Sequence, residues 1–288
     1  RSDIWAIGRT APAVVMNKYD VGGSEMFSQS FAEVYGSTNA ERGYTIDGMD
    51  VTWASGEGYV ISYLDAHMFE EVNFQTASGS AESPRGGPIT NMITKTGGNK
   101  WQGGSTFTWT GDSLQGRNDH DPLLQKYGFR QDGNTSDFVS DINVSAGGPL
   151  VANKVRFFGS FRDWRVHVNV PAAFSTLVLD RTDITSGLVN ANYQINDKNR
   201  LTGLYARQYY KKPHRFLTAS NVTVLESPNN EDDVFDIYQG LWNSVVTQKF
   251  FIDARFGLNK IFFPTYLNGS DQTLLDSATG IRTRNATT

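Results

Sequence analysis

The sequence predicts a mainly β protein: a small α+β unit at residues 1–100, then the first strands of a large transmembrane β-barrel at residues 101–288. Three observations lead to this fold class. From Trp101 onward, the side chains alternate in character with a period of two residues. The alternating segments reach about 10 residues or more, which exceeds the length of most soluble strands. Their connections are alternately short and long, as in outer-membrane barrels.

The composition suits an all-β chain and excludes several functions. Phe, Tyr and Trp make up 12% of the 288 residues, charged residues make up 19%, and glycine occurs 28 times. The net charge of -4 provides no basic excess that would favour nucleic acid as a partner. Because the chain has no cysteine, disulfides, thiolate metal sites and a cysteine nucleophile are excluded. No apolar run approaches the ~18 residues of a membrane-spanning helix, although barrel strands escape that criterion.

The first 100 residues are predicted to form short, mixed elements. Residues 44–51 alternate in character and contain Asp47-Gly48, a hairpin-turn signal. We predict a loop at 53–58, a short helix at 61–69, and strands at 69–75 and 89–94. The turn Gly97-Gly98-Asn99 follows, and the longer strands begin after it. This turn is therefore the predicted junction between two kinds of structure.

About seven long strands are predicted after the junction. They are expected at 101–110, 137–146, 154–166, 185–195, 200–210, 235–247 and 250–262. In the third of them, Val155, Phe157 and Phe161 share one face, while Arg156 and Arg162 share the other. Lipid outside and a polar lumen inside account for this division.

The connections are as informative as the strands. The short ones are predicted at 147–153, 196–199 and 248–249, and the long ones at 111–136, 167–183, 211–234 and from 264 onward. Short turns at one end and long loops at the other are typical of outer-membrane barrels. A soluble β-sandwich also alternates, but its strands are usually shorter.

Several motifs resemble the end of the plug domain of TonB-dependent outer-membrane receptors. They are EVNFQT at 71–76, AESPRGG at 81–87, ITNMITKTGGN at 89–99 and YTIDG at 44–48. The segment at 147–161, GGPLVANKVRFFGSF, looks like the first periplasmic turn and third strand of one branch. That branch carries an N-terminal carboxypeptidase-regulatory-like domain. The chain departs from the pattern at Thr90, which precedes the expected Asn91, and at Pro88.

The resemblance implies a plugged barrel in the bacterial outer membrane that takes up a bulky solute. A TonB-type energy-coupling protein and the outer-membrane lipid are the implied partners, with an unknown solute or surface partner. Such transporters close with about 22 strands, so we expect further strands beyond this sequence. An open sheet would leave its edge groups unpaired in lipid. The alternatives are a structural or surface-interaction barrel without active transport, and a passive porin.

Two sets of candidate site residues follow. Plug loops of this family meet substrate at the top of the barrel, and Trp53, Glu57 and Tyr59 are the largest contact groups in the expected loop. An aromatic ring and a carboxylate can stack on and hydrogen-bond a ligand, although a solvated loop with a packing Trp is the commoner explanation of such residues. Arg85, in the small-residue loop, is expected to pair with Asp141 or Asp253 on the barrel wall.

No catalytic or cofactor site is predicted. The sequence lacks a Gly-x-Ser-x-Gly elbow, a Walker loop and the His-Glu-x-x-His motif. Oxygen-rich groups occur at Asp119-His120-Asp121 and Glu231-Asp232-Asp233, within predicted loops. They could hold a hard cation, but their spacing is not that of an EF-hand. We therefore predict exposed charged turns there and no metal site.

Overall fold

A computed structural model describes residues 4–18, 29–54, 58–76, 85–116, 122, 126, 135–172, 175–215, 217, 225, 228–268, 274–280 and 282–283. The prediction of a mainly β chain is confirmed. Within this described part, no helix is long and apolar enough to cross a membrane.

The N-terminal unit, which we define as α1 to β6, is built from short elements. They are α1 (Ile4–Gly8), β1 (Val14–Met16), β2 (Ala32–Val34), β3 (Gly43–Ile46), β4 (Met49–Asp50), β5 (Phe69–Gln75) and β6 (Ile89–Thr94). Strands β4-β3-β6-β5 form a four-stranded sheet in which β3 and β6 are parallel, while β1 and β2 pair separately. Single 3-10 turns lie at Asn39–Glu41 and Ala66–Met68.

The Asp47-Gly48 signal predicts the β3–β4 hairpin correctly. Both residues have positive φ, 49° for Asp47 and 79° for Gly48, as a primed two-residue turn requires. The Asp47 carboxylate also accepts hydrogen bonds from the backbone N–H and the hydroxyl of Thr94, at 2.9 and 2.6 Å. The turn is thereby attached to the end of β6.

The predicted helix at 61–69 is wrong. Only Ala66–Met68 forms a 3-10 turn, with Asp65 as its N-cap. The Asp65 carboxylate accepts from the backbone N–H of His67 at 3.0 Å, and the chain turns into β5 at Phe69. A residue whose side chain binds a nearby backbone group favours a cap or turn over a longer helix.

The large sheet contains the seven predicted strands in sequence order, each antiparallel to the next. They are β7 (Gln102–Gly111), β8 (Thr135–Val151), β9 (Val155–Ala172), β10 (Ser175–Asn196), β11 (Asn199–Arg215), β12 (Asn229–Thr247) and β13 (Phe250–Phe262). The short strand β14 (Thr265–Tyr266) also pairs with β12, and β15 (Leu274–Leu275) pairs with β16 (Arg282–Thr283). A 3-10 turn at Asp112–Leu114 follows β7.

The short connections are confirmed, but several strands are longer than predicted. β10 has 22 residues and β9 has 18, so that much of the loop expected at 167–183 is strand. The reason is visible in β9, where Val166, Val168 and Val170 continue the alternation and are buried. These three valines belong to an apolar cluster that includes Trp53 and Tyr63 of the N-terminal unit. Burial of this cluster stabilises strand pairing beyond the expected ends of β9 and β10.

The two faces of the large sheet differ sharply in chemistry. We call the face covered by the N-terminal unit the inner face; it carries the buried polar residues Asn143, Arg162, Asn190, Gln208 and Gln239. The opposite, outer face exposes large apolar side chains, among them Phe107, Phe161, Val189 and Phe256. Exposed apolar and buried polar side chains invert the arrangement of a soluble sheet, and they match strands with lipid outside.

The connection between the two sheets runs from Thr94 to Gln102. At Gly97 an added Cβ would overlap the carbonyl oxygen of Phe157, at the beginning of β9. Only glycine allows this close approach of two backbones. The predicted junction at Gly97-Gly98-Asn99 therefore lies against the end of the large sheet where the short connections are.

Candidate functional site

The contact between the N-terminal unit and the inner face is the candidate functional site. Its centre is Arg162 on β9, which is 2% exposed. The guanidinium donates from Nε and Nη2 to both carboxylate oxygens of Asp141, at 2.8 Å each. Nη1 donates to Asp65 of the N-terminal unit at 3.0 Å. One arginine thus connects a carboxylate of the sheet with one of the N-terminal unit.

Both carboxylate oxygens of Asp65 have hydrogen-bond partners, although the residue is buried. Its second oxygen accepts from Nδ2 of Asn143 at 3.2 Å, and the Nδ1 atom of His67 lies 2.9 Å from its first oxygen. Burial acts to raise the pKa of Asp65, but hydrogen bonds from His67 and the charge of Arg162 hold the pKa below its ordinary value. The carboxylate is therefore charged at neutral pH.

The position of the Arg162 guanidinium is also restricted by an aromatic ring. It lies 3.8 Å from the centroid of the Trp164 ring, on the same face of β9. The planar guanidinium thus has carboxylates at its edge and the face of an aromatic ring beneath it. Arginine can make both contacts at once, whereas the ammonium group of lysine cannot. The contact is desolvated and geometrically specific.

Other polar side chains of the inner face bind the backbone of the N-terminal unit. Gln208 on β11 accepts from the N–H of Tyr63 at 2.7 Å and donates to its carbonyl oxygen at 2.6 Å. Gln239 on β12 donates to the carbonyl oxygen of Ile46 at 3.2 Å. On β13, Arg255 and Asn259 donate to the carbonyl oxygens of Asp47 and Asp50, at 3.3 and 3.1 Å.

Asn190 on β10 completes this series by donating to the Thr94 hydroxyl at 2.7 Å. Each strand from β8 to β13 therefore contributes at least one side-chain hydrogen bond to the N-terminal unit. A cavity of about 160 Å³ borders Thr94, Asn190, Gln239 and Arg255. The Oδ1 atom of Asn190 and the Oε1 atom of Gln239 have no hydrogen-bond partner, and a polar cavity of this size has room for several waters.

The expected pairing of Arg85 with Asp141 or Asp253 is wrong. Arg85 lies 3.7 Å from the Asp50 carboxylate and donates to the carbonyl oxygen of Ala40 at 3.3 Å, both within the N-terminal unit. Asp141 pairs with Arg162, and Asp253 pairs with Arg255 at 2.8 Å. Both carboxylates take arginines of the sheet itself, because cross-strand and i,i+2 neighbours are nearer than the N-terminal unit.

Two members of the predicted ligand-contacting loop lie in the described part of the chain. The backbone N–H of Trp53 donates to the carbonyl oxygen of Tyr59 at 2.7 Å, so the two residues face each other across a narrow loop. The Trp53 ring meets Phe263 edge-on at 5.8 Å, and the Tyr59 ring lies 4.8 Å from that of Phe31. Glu57 lies outside the described residues, and ligand binding by this loop stays a prediction.

The acidic group at Glu231-Asp232-Asp233 is not in a loop, contrary to the prediction. These residues belong to β12, and the side chains of Glu231 and Asp233 are only 3% and 2% exposed on the inner face. Asp232 points the other way and accepts from the Tyr266 hydroxyl at 3.2 Å. Sequence reasoning missed this site because a run of three acids resembles a solvated turn. Its alternation with Asn229 and Phe235 was the available signal.

No group of three or more His, Cys, Asp or Glu side chains in the described ranges could hold a metal ion. The Glu231-to-Asp233 segment lies within those ranges. The other oxygen-rich group, Asp119 to Asp121, lies outside those ranges.

Comparisons with known proteins identify outer-membrane proteins that are similar to this chain. No family model matches the chain. The curated protein "TonB-dependent transporter Oar" of Myxococcus xanthus is 29% identical over 130 residues, which is 44% of this chain and 12% of that protein. The outer membrane transporter YddB of Escherichia coli has a TM-score of 0.69 at 15% identity, covering 99% of this chain and 40% of that one.

A mutant ferric enterobactin receptor of Pseudomonas aeruginosa, PfeA, has a TM-score of 0.65 at 12% identity. The match covers 97% of this chain and 40% of the receptor. The siderophore receptor PirA of Acinetobacter baumannii has a TM-score of 0.55 at 12% identity over 96% of this chain and 44% of that one. The chain thus has the fold of a part of these outer-membrane barrels and spans less than half of their length. This agrees with the location predicted from the sequence, the bacterial outer membrane.

Proposed function

We propose that the chain is part of a TonB-dependent outer-membrane receptor that takes up a bulky solute through a barrel closed by the N-terminal unit. In this proposal residues 1–100 are the C-terminal part of a plug domain, and residues 101–288 provide the first strands of the barrel wall. Outer-membrane lipid surrounds the outer face. A TonB-type energy-coupling protein displaces or remodels the plug, so the activity is binding and gating without covalent chemistry.

The observation that carries this proposal is the polar attachment of the N-terminal unit to the inner face. Each strand from β8 to β13 holds the unit with side-chain hydrogen bonds, and the contact contains a cavity with unpartnered polar atoms. Water can replace such bonds at a net change of roughly 1 kcal/mol each. A unit attached in this way can leave the wall under force.

The Arg162 contact is the strongest single resistance to that displacement. Moving the unit separates Asp65 from Arg162, and both are charged and desolvated. Asp141 stays with Arg162 on the wall, so the arginine keeps one partner when the unit leaves. The contact can therefore open and close without leaving a fully unpaired guanidinium.

The predicted ligand loop lies at the appropriate end of the molecule for this role. Trp53 packs against Phe263, which follows the end of β13 opposite its short connection to β12. In the proposal the short connections face the periplasm, so that Trp53 and Tyr59 lie toward the outside, where solute arrives. Glu57 is the third residue proposed to contact the solute. Solute binding there precedes displacement of the unit.

A cysteine-labelling experiment tests active displacement. Thr94 is 1% exposed and hydrogen-bonded to Asn190, so a Thr94→Cys thiol in the full-length protein is shielded while the unit is seated. We expect a hydrophilic maleimide that reaches the periplasm to label it in energised cells. Labelling should fall after a protonophore or deletion of the TonB-type gene. Leu150→Cys, on an exposed side chain near a short connection, should label under all these conditions and serves as the control.

One observation favours a second candidate, a structural or surface-interaction barrel whose N-terminal unit stays in place. An apolar cluster joins Leu64 and Met68 of the unit to Leu188 and Leu204 of the wall, and burial of this kind resists separation. For such a barrel, Thr94→Cys would stay unlabelled with or without energy while Leu150→Cys reacts. The same experiment therefore separates the two functions.

A further inference from the structure

A second buried acidic site lies on the inner face, away from Arg162. Glu231 and Asp233 on β12 stand opposite Lys212 and Tyr210 on β11 in the antiparallel register. All four side chains point to the inner face, where the N-terminal unit contributes Tyr63. The site therefore lies between the wall and the N-terminal unit, in the half of the sheet near the long connections.

The charges of this site do not balance. Glu231 pairs with Arg215 at 2.8 Å, and Lys212 pairs with Asp180 at 2.7 Å. Asp233 is 2% exposed, and neither of its carboxyl oxygens receives a hydrogen bond from an N–H group or a hydroxyl; its hydrogen-bonding neighbour on the same face is another acid, Glu231. Among the described residues, three acids thus share two bases. Burial of a carboxylate without a counter-charge is strongly unfavourable, so this position favours uptake of a positive charge, either a proton shared with Glu231 or the cationic group of a ligand.

Aromatic rings line the same place. Tyr63 and Tyr210 stack with centroids 4.6 Å apart and an interplanar angle of 6°. Tyr210 stands directly opposite Asp233 in the register, and Tyr63 stacks on Tyr210. Carboxylates beside aromatic faces are the surroundings that proteins use to hold organic cations.

The molecule already contains one example of this chemistry. The Arg215 guanidinium binds the Glu231 carboxylate and lies 5.0 Å from the centroid of the Phe263 ring. Asp233 and the two tyrosines offer an equivalent combination, an acid and an aromatic face, without a cation. A metal ion fits less well, because the described residues provide no cluster of three ligating side chains.

We propose that Asp233, with the stacked Tyr63 and Tyr210, receives a guanidinium or primary ammonium group of the transported solute. The inference rests on the proposed uptake function and deepens it, since it makes the solute an organic cation such as a basic peptide. Because the carboxylate is buried, the group that enters is small and sits at the end of a side chain. Tyr63 precedes Asp65 by two residues. Binding of the cationic group beside Tyr63 therefore acts on the same segment of the N-terminal unit that binds Arg162.

The test uses the detergent-purified full-length protein and two matched probes, N-acetyl-argininamide and its neutral isostere N-acetyl-citrullinamide. We expect calorimetric titration to show binding of the cationic probe with at least about tenfold preference over the neutral one, as for a charge-assisted bond. Asp233→Asn should remove that preference. Asp232→Asn, the adjacent acid that faces away and meets Tyr266, should keep it.

A second variant tests the site independently, in case Asp233→Asn does not fold. Tyr210→Leu removes the ring but keeps Asp233, and it should weaken binding of the cationic probe several-fold while some preference for charge remains. Each variant is first checked for the heat-dependent gel shift of a folded barrel. Equal binding of the two probes, no binding by the folded wild type, or displacement of the probe by millimolar Ca²⁺ would each overturn the inference.

These outcomes are separable from failure of the proposed function. If Thr94→Cys labelling depends on energy but the cationic probe does not bind, the transporter proposal stands and only the solute class is wrong. If the probe binds with the expected preference but labelling never depends on energy, the site holds a cation on a static barrel. The inference would then lose the uptake function on which it rests.

Discussion

Asp65 and Asp233 are two buried carboxylates at the same contact, each 2% exposed, and their surroundings are opposite. Asp65 has an arginine, an asparagine and the backbone N–H of His67 as partners. Neither oxygen of Asp233 receives a hydrogen bond from an N–H group or a hydroxyl, and its hydrogen-bonding neighbour is another acid, Glu231. A satisfied carboxylate contributes to holding the unit in place, whereas an unsatisfied one weakens the fold in a way that a ligand can reverse. The contrast separates a structural acid from a binding acid.

Replacing Arg162 should produce the largest effect. Arg162→Met removes the guanidinium from the buried Asp65 and the partly buried Asp141, and breaking a buried pair in this way typically costs about 3–5 kcal/mol. We expect the N-terminal unit to become sensitive to protease at much lower denaturant concentration. The control is Arg165→Met on the same strand, whose pair with Asp163 is half exposed and should matter by less than about 1 kcal/mol. Equal protease sensitivity of the two variants would contradict the role given to Arg162.

Replacing Asp233 should change stability in the opposite direction. Asp233→Asn replaces a buried acid that lies beside Glu231 with a neutral amide of nearly the same volume, and we expect a gain of about 1–3 kcal/mol in the ligand-free protein. Asp65→Asn should instead destabilise, because it removes the partner of Arg162. Urea unfolding followed by tryptophan fluorescence measures both. A loss of stability in Asp233→Asn would mean that Asp233 has a counter-charge and would remove the contrast.

Gln208 should have an intermediate effect. Its side chain makes two hydrogen bonds to the backbone of Tyr63, and Gln208→Ala leaves that N–H and carbonyl without these partners. The expected loss is about 2 kcal/mol, at roughly 1 kcal/mol for each bond. Gln194→Ala, near a short connection and bonded only to local backbone, is the matched control. Exchange of the Tyr63 amide hydrogen should accelerate only in the Gln208 variant.

The smallest effect is expected from pH. Because the folded-state pKa of Asp65 lies below its ordinary value of 3.8, its contribution to stability is present above that value. It is lost as the pH falls through the lower, folded-state value. Protease resistance of the N-terminal unit should thus stay level from about pH 7 to pH 5 and decline below about pH 4. In Asp65→Asn the part of the decline due to this group should disappear.

The sequence predicts the strands well where local chemistry suffices. The alternation of Val155, Phe157 and Phe161 with Arg156 and Arg162 indicates a strand with two unlike faces, and β9 has them. The Asp47-Gly48 pair predicts its hairpin because few other residues adopt positive φ there. Prediction failed at the loop expected at 167–183 and at the acids of β12, where burial against distant residues extends the strands.

For the contact between the N-terminal unit and the wall, the sequence predicted only the pairing of Arg85 with Asp141 or Asp253. The observed contacts are made by other side chains of the inner face. Their pairing was not readable, because Arg162 meets Asp65 across 97 residues and Gln208 meets Tyr63 across 145. Arg85 was assigned to the wall on charge alone, but Asp50 lies closer.

Local rules thus account for the division of each strand into an apolar and a polar face, since successive side chains of a pleated backbone point to opposite sides. They also account for the short turns and for the Gly97 junction. Local rules do not determine which residues pair with the buried acids. Asp65 and Asp233 are the same residue type, and only the packing of the N-terminal unit on the wall gives Asp65 a hydrogen bond from a guanidinium and leaves Asp233 without one.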